Sequence, residues 1–191
     1  MRTGADGQET PAAATAHAVA GWLRSRPPRA GRTRVLAVEG RSGAGKSTLA
    51  AAVAAALGAP VVRMDDLYDG WDGLLPGVDA LLEWVLRPLA RAAPARWRRY
   101  DWTLGAYAEW HETPGGGTLV VEGVGCGARQ ARPYLSGLVW LEAADGVRRA
   151  RALARDGDLY TPHWARWAAQ EESFYALHDV RAHADLTVVT G

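Results

Sequence analysis

Short apolar runs alternate along this chain with longer segments whose apolar residues recur every three or four positions. Residues 34–39 (RVLAVE), 60–64 (PVVRM), 117–122 (GTLVVE), 137–142 (GLVWLE) and 185–189 (DLTVV) are short, largely apolar runs. Continuous apolarity over so few residues, close to glycine or proline, predicts strands buried on both faces. Helical periods lie between them. Residues 12–25 are alanine-rich, with Val19, Trp22 and Leu23 on one side, and Pro27-Pro28 stops them. Residues 46–57 are rich in Ala, Leu and Val and end at Gly58, a residue suited to closing a helix. Residues 79–91 carry Leu81, Leu82, Val85, Leu86 and Leu89 as an apolar stripe. Residues 145–155 predict an arginine-studded helix, and Pro162 opens a long helix to about His178. The polar stretch 156–163 (DGDLYTPH) reads as the connector between these two, with the makings of a lid over about 156–164.

Residues 1–11 are small and polar and are expected to be disordered, leaving 12–191 as one domain. Strands alternating with helices predict an α/β fold of three layers, with a five-stranded parallel sheet between helices. Right-handed crossovers in such a fold bring ligands to the carboxyl ends of the strands.

Composition narrows the function classes. A hydrophobic share of 48% and a charged share of 23% are those of an ordinary globular protein. A net charge of +1 supplies no global basic field for nucleic acid. Cys126 is the one cysteine, which excludes an internal disulfide and fits a reducing, cytoplasmic setting. The N-terminal residues have no apolar core of a signal peptide, and no apolar run approaches the ~18 residues of a membrane span. His17, His111, His163, His178 and His183 stand in no metal-ligand spacing with Cys126, so zinc is not expected.

Candidate chemistry begins at Lys46, the single lysine in a chain whose other basic residues are all arginine. It lies in Gly40-Arg41-Ser42-Gly43-Ala44-Gly45-Lys46-Ser47, between a predicted strand and a predicted helix. The run fits G-x-x-x-x-G-K-[ST], the phosphate-binding loop. There the backbone amides of residues 43–47 and the start of the helix, with Thr48, cradle nucleotide phosphates. Lysine, a compact point charge, suits a phosphate oxygen inside a tight loop better than the rigid arginine fork. Ser47 is the expected Mg²⁺ ligand.

Asp65 and Asp66 follow the second strand in Met64-Asp65-Asp66-Leu67-Tyr68. A carboxylate at a strand's carboxyl end beside a phosphate loop is placed to accept a proton from an attacking hydroxyl. Glu122 ends the third strand, where an acid holds Mg²⁺ through water. Arg148, Arg151 and Arg155 fall on one helix face, positioned to neutralise a transferring phosphoryl group. Trp71, Trp102 and Trp110 are expected in loops, where aromatic faces suit stacking.

Together these elements resemble the uridine kinase-like branch of the phosphate-loop small-molecule kinases. Met64-Asp65-Asp66-Leu67-Tyr68 is similar to that family's D-x-[FL]-Y element. Tyr100-Asp101-Trp102 resembles its Y-D-[FW] segment, and Val120-Val121-Glu122-Gly123 its V-x-E-G strand. Arg148, Arg151 and Arg155 match its R-x-x-R-x-x-x-R spacing. The likeness spans roughly residues 33–189. It implies ATP and Mg²⁺ as cofactors, and transfer of the γ-phosphoryl group to a hydroxyl of a nucleoside or similar small molecule. It assigns the base to Asp65, nucleotide contacts to the loop and Arg148, and catalytic charge to Lys46, Arg151 and Arg155. It assigns acceptor contacts to Tyr68, Tyr100, Asp101 and Trp102, and Trp71 joins them as a stacking residue. The family's pyrimidine kinases carry a histidine a few residues after Y-D-F. Here that stretch reads Thr103-Leu104-Gly105, which points away from a pyrimidine nucleoside. The alternatives are a kinase of a sugar, polyol or antibiotic, and a regulatory ATPase with no metabolite acceptor.

Overall fold

The computed structural model describes the backbone of residues 11–191, and the side chains of these residues apart from 11 and 155–160. The expected disorder of residues 1–11 therefore lies, but for Pro11, outside the described residues. Pro11 itself opens the first helix. In chain order the strands are β1 Thr33–Glu39, β2 Val61–Arg63, β3 Ala95–Asp101, β4 Ala106–Thr113, β5 Gly117–Glu122, β6 Gly137–Glu142 and β7 Leu186–Val189. The α-helices are α1 Pro11–Arg24, α2 Lys46–Leu57, α3 Leu74–Ala80, α4 Arg87–Ala90, α5 Asp145–Tyr160 and α6 Trp164–His178.

Five strands form one parallel sheet in the order β2-β5-β1-β6-β7. The middle strand β1 shows why both faces are covered. Val35 and Ala37 join a core completed by the helical segment from Leu74, by α6 and by β3. Leu36 and Val38 join a second core with α1 and α2. Alternate side chains of a strand point to opposite faces, so a continuous apolar run is what a central strand of three layers requires.

Three expectations change. The helix expected at 79–91 begins at Leu74, because Pro76 falls in its first turn, where a missing N–H is no loss. Leu81–Leu86 winds as a π-helix between α3 and α4, and Leu81, Leu82, Val85 and Leu86 are buried there. Residues 95–113, expected as loop around Trp102 and Trp110, instead fold into an antiparallel hairpin. Ala95 and Trp97 are buried and Arg96 is exposed, a two-residue alternation that an irregularity between Arg98 and Tyr100 then breaks. Finally, α5 runs on through Tyr160, and only Thr161–His163 separates it from α6. The 156–160 part of the expected connector is helical, since one interior glycine, Gly157, is a tolerable local penalty in a helix.

Candidate active site

The loop between β1 and α2 sits at the carboxyl end of the central strand. Gly43 and Gly45 both hold positive φ, 79° and 94°. At Gly43 a Cβ would lie 2.0 Å from the Arg148 carbonyl oxygen, so glycine is what lets α5 close on the loop. At Gly40 a Cβ would lie 2.4 Å from the Leu141 carbonyl oxygen. Gly45 precedes α2 with no side-chain cap, and no acid stands in that helix's first turn. Amides at such an end favour an anion. Lys46 is 9% exposed and its Nζ donates to the Arg41 carbonyl at 3.1 Å, folded over the loop it would serve. Ser42, Gly43, Gly45, Lys46, Ser47 and Thr48 line a cavity of about 630 Å³. Ala44 lies beneath, fully buried, its carbonyl accepting from the Thr190 hydroxyl at 2.9 Å.

Asp65 and Glu122 line the same cavity. Register explains their meeting: β2 pairs with β5 so that Arg63 lies opposite Glu122. Just beyond, Gly123 passes so close to Met64 that a Cβ there would lie 2.5 Å from the methionine's own. Ser47 lines the cavity beside Glu122, and Arg63 Nε approaches the Glu122 carboxylate at 4.0 Å. Burial, with the neighbouring Asp65 charge, raises Glu122 above the usual carboxylate range, while Lys46, Ser47 and Arg63 pull it back. A hydroxyl and two carboxylates are hard oxygen donors, and so suit Mg²⁺. Asp66 is not part of the cavity wall, and burial with the Asp65 charge raises its pKa.

The far wall is aromatic. Tyr68, Trp71, Trp102 and Trp167 line it. Trp71 leans on Trp102 with centroids 4.7 Å apart and stacks on His163 at 4.3 Å. Trp167 meets Tyr68 edge-on at 4.8 Å. The Tyr68 hydroxyl donates to the Val124 carbonyl at 2.6 Å, so this residue presents its ring to the cavity. The hairpin grips the segment bearing Asp65. Trp102 Nε1 donates to the Asp65 carbonyl and the Tyr107 hydroxyl to that of Leu67, both at 2.9 Å. Tyr100 and Asp101 stand behind this wall. Asp101 accepts from the amides of Thr103 and Leu104, each at 3.0 Å, and from Arg99, which fixes the hairpin turn. Trp110 is 55% exposed, with the Arg96 and Arg98 guanidinium groups over its ring.

The arginine row divides. Arg148 is 8% exposed and donates to the Ser42 carbonyl at 3.1 Å and to Asp145 at 2.6 Å, clamping the loop from α5. Arg151 reaches the cavity and bonds Thr190 Oγ1 at 3.1 Å and the Gly191 carbonyl. The Arg155 side chain lies outside the described residues.

Four participants escaped the reading of the sequence. Arg63 lines the cavity. Glu39 is fully buried beneath the loop, accepting from Gly40 N, Gly125 N, Gly127 N and the Tyr175 hydroxyl. Burial pushes its pKa up to about 6, against those donors and Lys46. Trp167 and Glu171 both face inward from α6. Their four-residue spacing within a helical period was the available signal.

No protein-family model matches the chain, and no curated protein sequence matches it. Solved structures do. A possible uridine kinase from Bacillus stearothermophilus superposes with a TM-score of 0.66 at 16% identity, over 90% of this chain and 96% of that one. A putative fructose transport system kinase from Silicibacter sp. TM1040 gives 0.57 at 22% identity, over 94% and 99%. The fold is therefore that of the uridine kinase-like phosphate-loop proteins.

Proposed function

We propose that the protein is an ATP-dependent kinase that phosphorylates a hydroxyl group of a nucleoside or similar small molecule. The observation that carries this reading is the single cavity shared by the loop, the two carboxylates and the aromatic wall. A site for nucleotide hydrolysis alone does not call for a wall of indoles facing the phosphate loop. Transfer needs both substrates in one water-poor space, with the attacking oxygen in line.

Bound Mg²⁺·ATP supplies the phosphoryl group and its activated leaving group. The chain's residues do the rest. Amides of residues 43–48 and Lys46 hold the phosphates, and the Ser47 hydroxyl with Glu122 offers the oxygen donors for Mg²⁺. Asp65 accepts the proton of the acceptor hydroxyl and orients it. Arg151 adds positive charge where the transferring group develops negative charge, and Arg155 on the next turns of α5 is assigned the same task. The end of α5 and its turn into α6 serve as the lid. Trp71, Trp102 and Trp167 take a flat or apolar face of the acceptor. Arg148 acts through the loop backbone, and Tyr100 and Asp101 act through the placement of Trp102. The reducing, cytoplasmic setting inferred from Cys126 agrees with an ATP-dependent activity. Among the described residues no helix is long and apolar enough to cross a membrane.

A screen of ADP release across nucleosides, sugars, vitamins and aminoglycosides tests the proposal, with Asp65→Asn beside the wild type. One acceptor class should stimulate the wild type, and the variant should lose ~10²–10⁴-fold of that stimulated rate. Acceptor-independent ATP turnover that survives Asp65→Asn would instead mark a regulatory ATPase.

A further inference from the structure

Helix α6 reaches both halves of the cavity from a short stretch of its length. Glu171 is 2% exposed. Its Oε1 accepts from Ser42 N at 2.9 Å, from Ser42 Oγ at 2.6 Å and from Trp167 Nε1 at 3.1 Å. One carboxylate oxygen thus ties the phosphate loop to an indole of the aromatic wall. The neighbouring turn ties the same helix to the rest of that wall. Gln170 Nε2 donates to the Trp71 carbonyl at 2.7 Å, and Arg166 pairs with Asp72. On the loop side the grip is doubled: Arg41 pairs with Glu172 at 2.6 Å, and Arg148 holds the Ser42 carbonyl.

A carboxylate this deeply buried is costly unless its lone pairs are filled. For packing alone, an apolar residue would serve α6 better. The donors that compensate Glu171 come from the two elements that must act together in a transfer reaction. The Ser42 amide, directed at Glu171, joins loop to helix, so a shift of the loop is passed to α6 through a short, rigid bond rather than through solvent.

We infer that Glu171 is a positioning residue that couples nucleotide binding to the shape of the acceptor wall. It rests on the nucleotide-binding reading proposed above. Nucleotide seated on the loop fixes Ser42. Ser42 fixes Glu171 and the Trp167 indole, and α6 carries the restraint to Trp71 through Gln170. The acceptor then meets a wall already set, which favours the correct order of events and limits transfer to water.

Hydrogen exchange on the full chain tests this, with Mg²⁺ and a non-hydrolysable ATP analogue as the probe. In the wild type, saturating analogue should slow exchange in the loop, residues 40–48, and also in residues 70–73 and 164–171. In Glu171→Leu, which leaves Ser42 and the Trp167 indole without this acceptor, the loop should remain protected, while the slowing at 70–73 should fall by roughly fivefold or more, the low end of ordinary coupling between sites. Trp167→Phe keeps an aromatic ring and leaves the Glu171–Ser42 bonds, but removes the indole donor. It should show a partial loss of the same kind, and it serves if Glu171→Leu does not fold. Protection of 70–73 that is absent in the wild type, or unchanged in both variants, overturns the coupling while the nucleotide site stands. An analogue that protects no loop residue in the wild type overturns the nucleotide reading itself.

Discussion

The phosphate loop and the aromatic wall face each other across one cavity and are built in opposite ways. The loop is nine residues of continuous chain, and its key groups are backbone amides held by glycine conformations and by the start of α2. The wall gathers Tyr68, Trp71, Trp102 and Trp167 from three distant segments, and its key groups are side chains held by one another. A backbone site tolerates change around it but hardly any within it. A side-chain site can be refitted one residue at a time. The nucleotide half should therefore break at single positions, and the acceptor half should degrade in steps.

The sharpest break is expected at Lys46→Ala. Turnover should fall by ~10²–10³-fold or more, as for loss of one preorganised charge in a transfer site. Its hydrogen bond to the Arg41 carbonyl is worth about 1 kcal/mol, so the melting temperature should move by only about 2–4 °C. A large loss of stability with modest loss of rate would mean that Lys46 is structural and that the two halves do not differ as described. Trp102→Ala should act on the other half. It removes a ring contact with Trp71 and the bond to the Asp65 carbonyl, together about 1–3 kcal/mol. The acceptor kcat/KM should fall roughly tenfold to a hundredfold, with KM for ATP nearly constant. Arg151→Ala should cost about tenfold in turnover and little in nucleotide affinity, because its charge matters most in the transition state.

A pH dependence in the nucleotide half bears on stability rather than on turnover. Burial holds the Glu39 carboxyl at about 6, against 4.5 in a free side chain. Between those values the native state keeps a proton that the unfolded chain has released. Stability therefore falls as pH rises through that window, by about 2 kcal/mol from this group, and is flat above it. Melts of the wild type and Glu39→Gln from pH 4 to 7 should show the wild type losing ground to the variant as pH rises. A constant difference would mean that Glu39 titrates in the native state as it does in the unfolded chain, and a wild type that gains on the variant would mean that the converging donors keep it ionised.

The same contrast explains what could be read in advance. Five strands, the loop and the carboxylates at strand ends follow from local pattern, since each depends on a few neighbouring residues. The resemblance carried Asp65, Tyr68, Glu122 and Trp102 to the cavity they line, and the run of loop aromatics carried Trp71 there. The hairpin was hidden because the irregularity at Arg98/Tyr100 breaks its alternation and because its second strand, with Glu109 and Trp110 both exposed, shows no two-residue pattern. Tyr100 and Asp101 lie one layer behind Trp102, a depth that no spacing records. Glu171 and Glu39 were missed for a related reason. Their meaning lies in donors from residues far along the chain, and a glutamate in a helix or at a strand end looks like surface until those donors are in view.

Phosphorus NMR of the reaction mixture tests the central claim most directly, with ATP, Mg²⁺ and the acceptors that stimulate ADP release. Transfer to a hydroxyl predicts a phosphate monoester resonance that grows in step with ADP, while inorganic phosphate stays near its background. ADP accompanied only by inorganic phosphate would contradict the account.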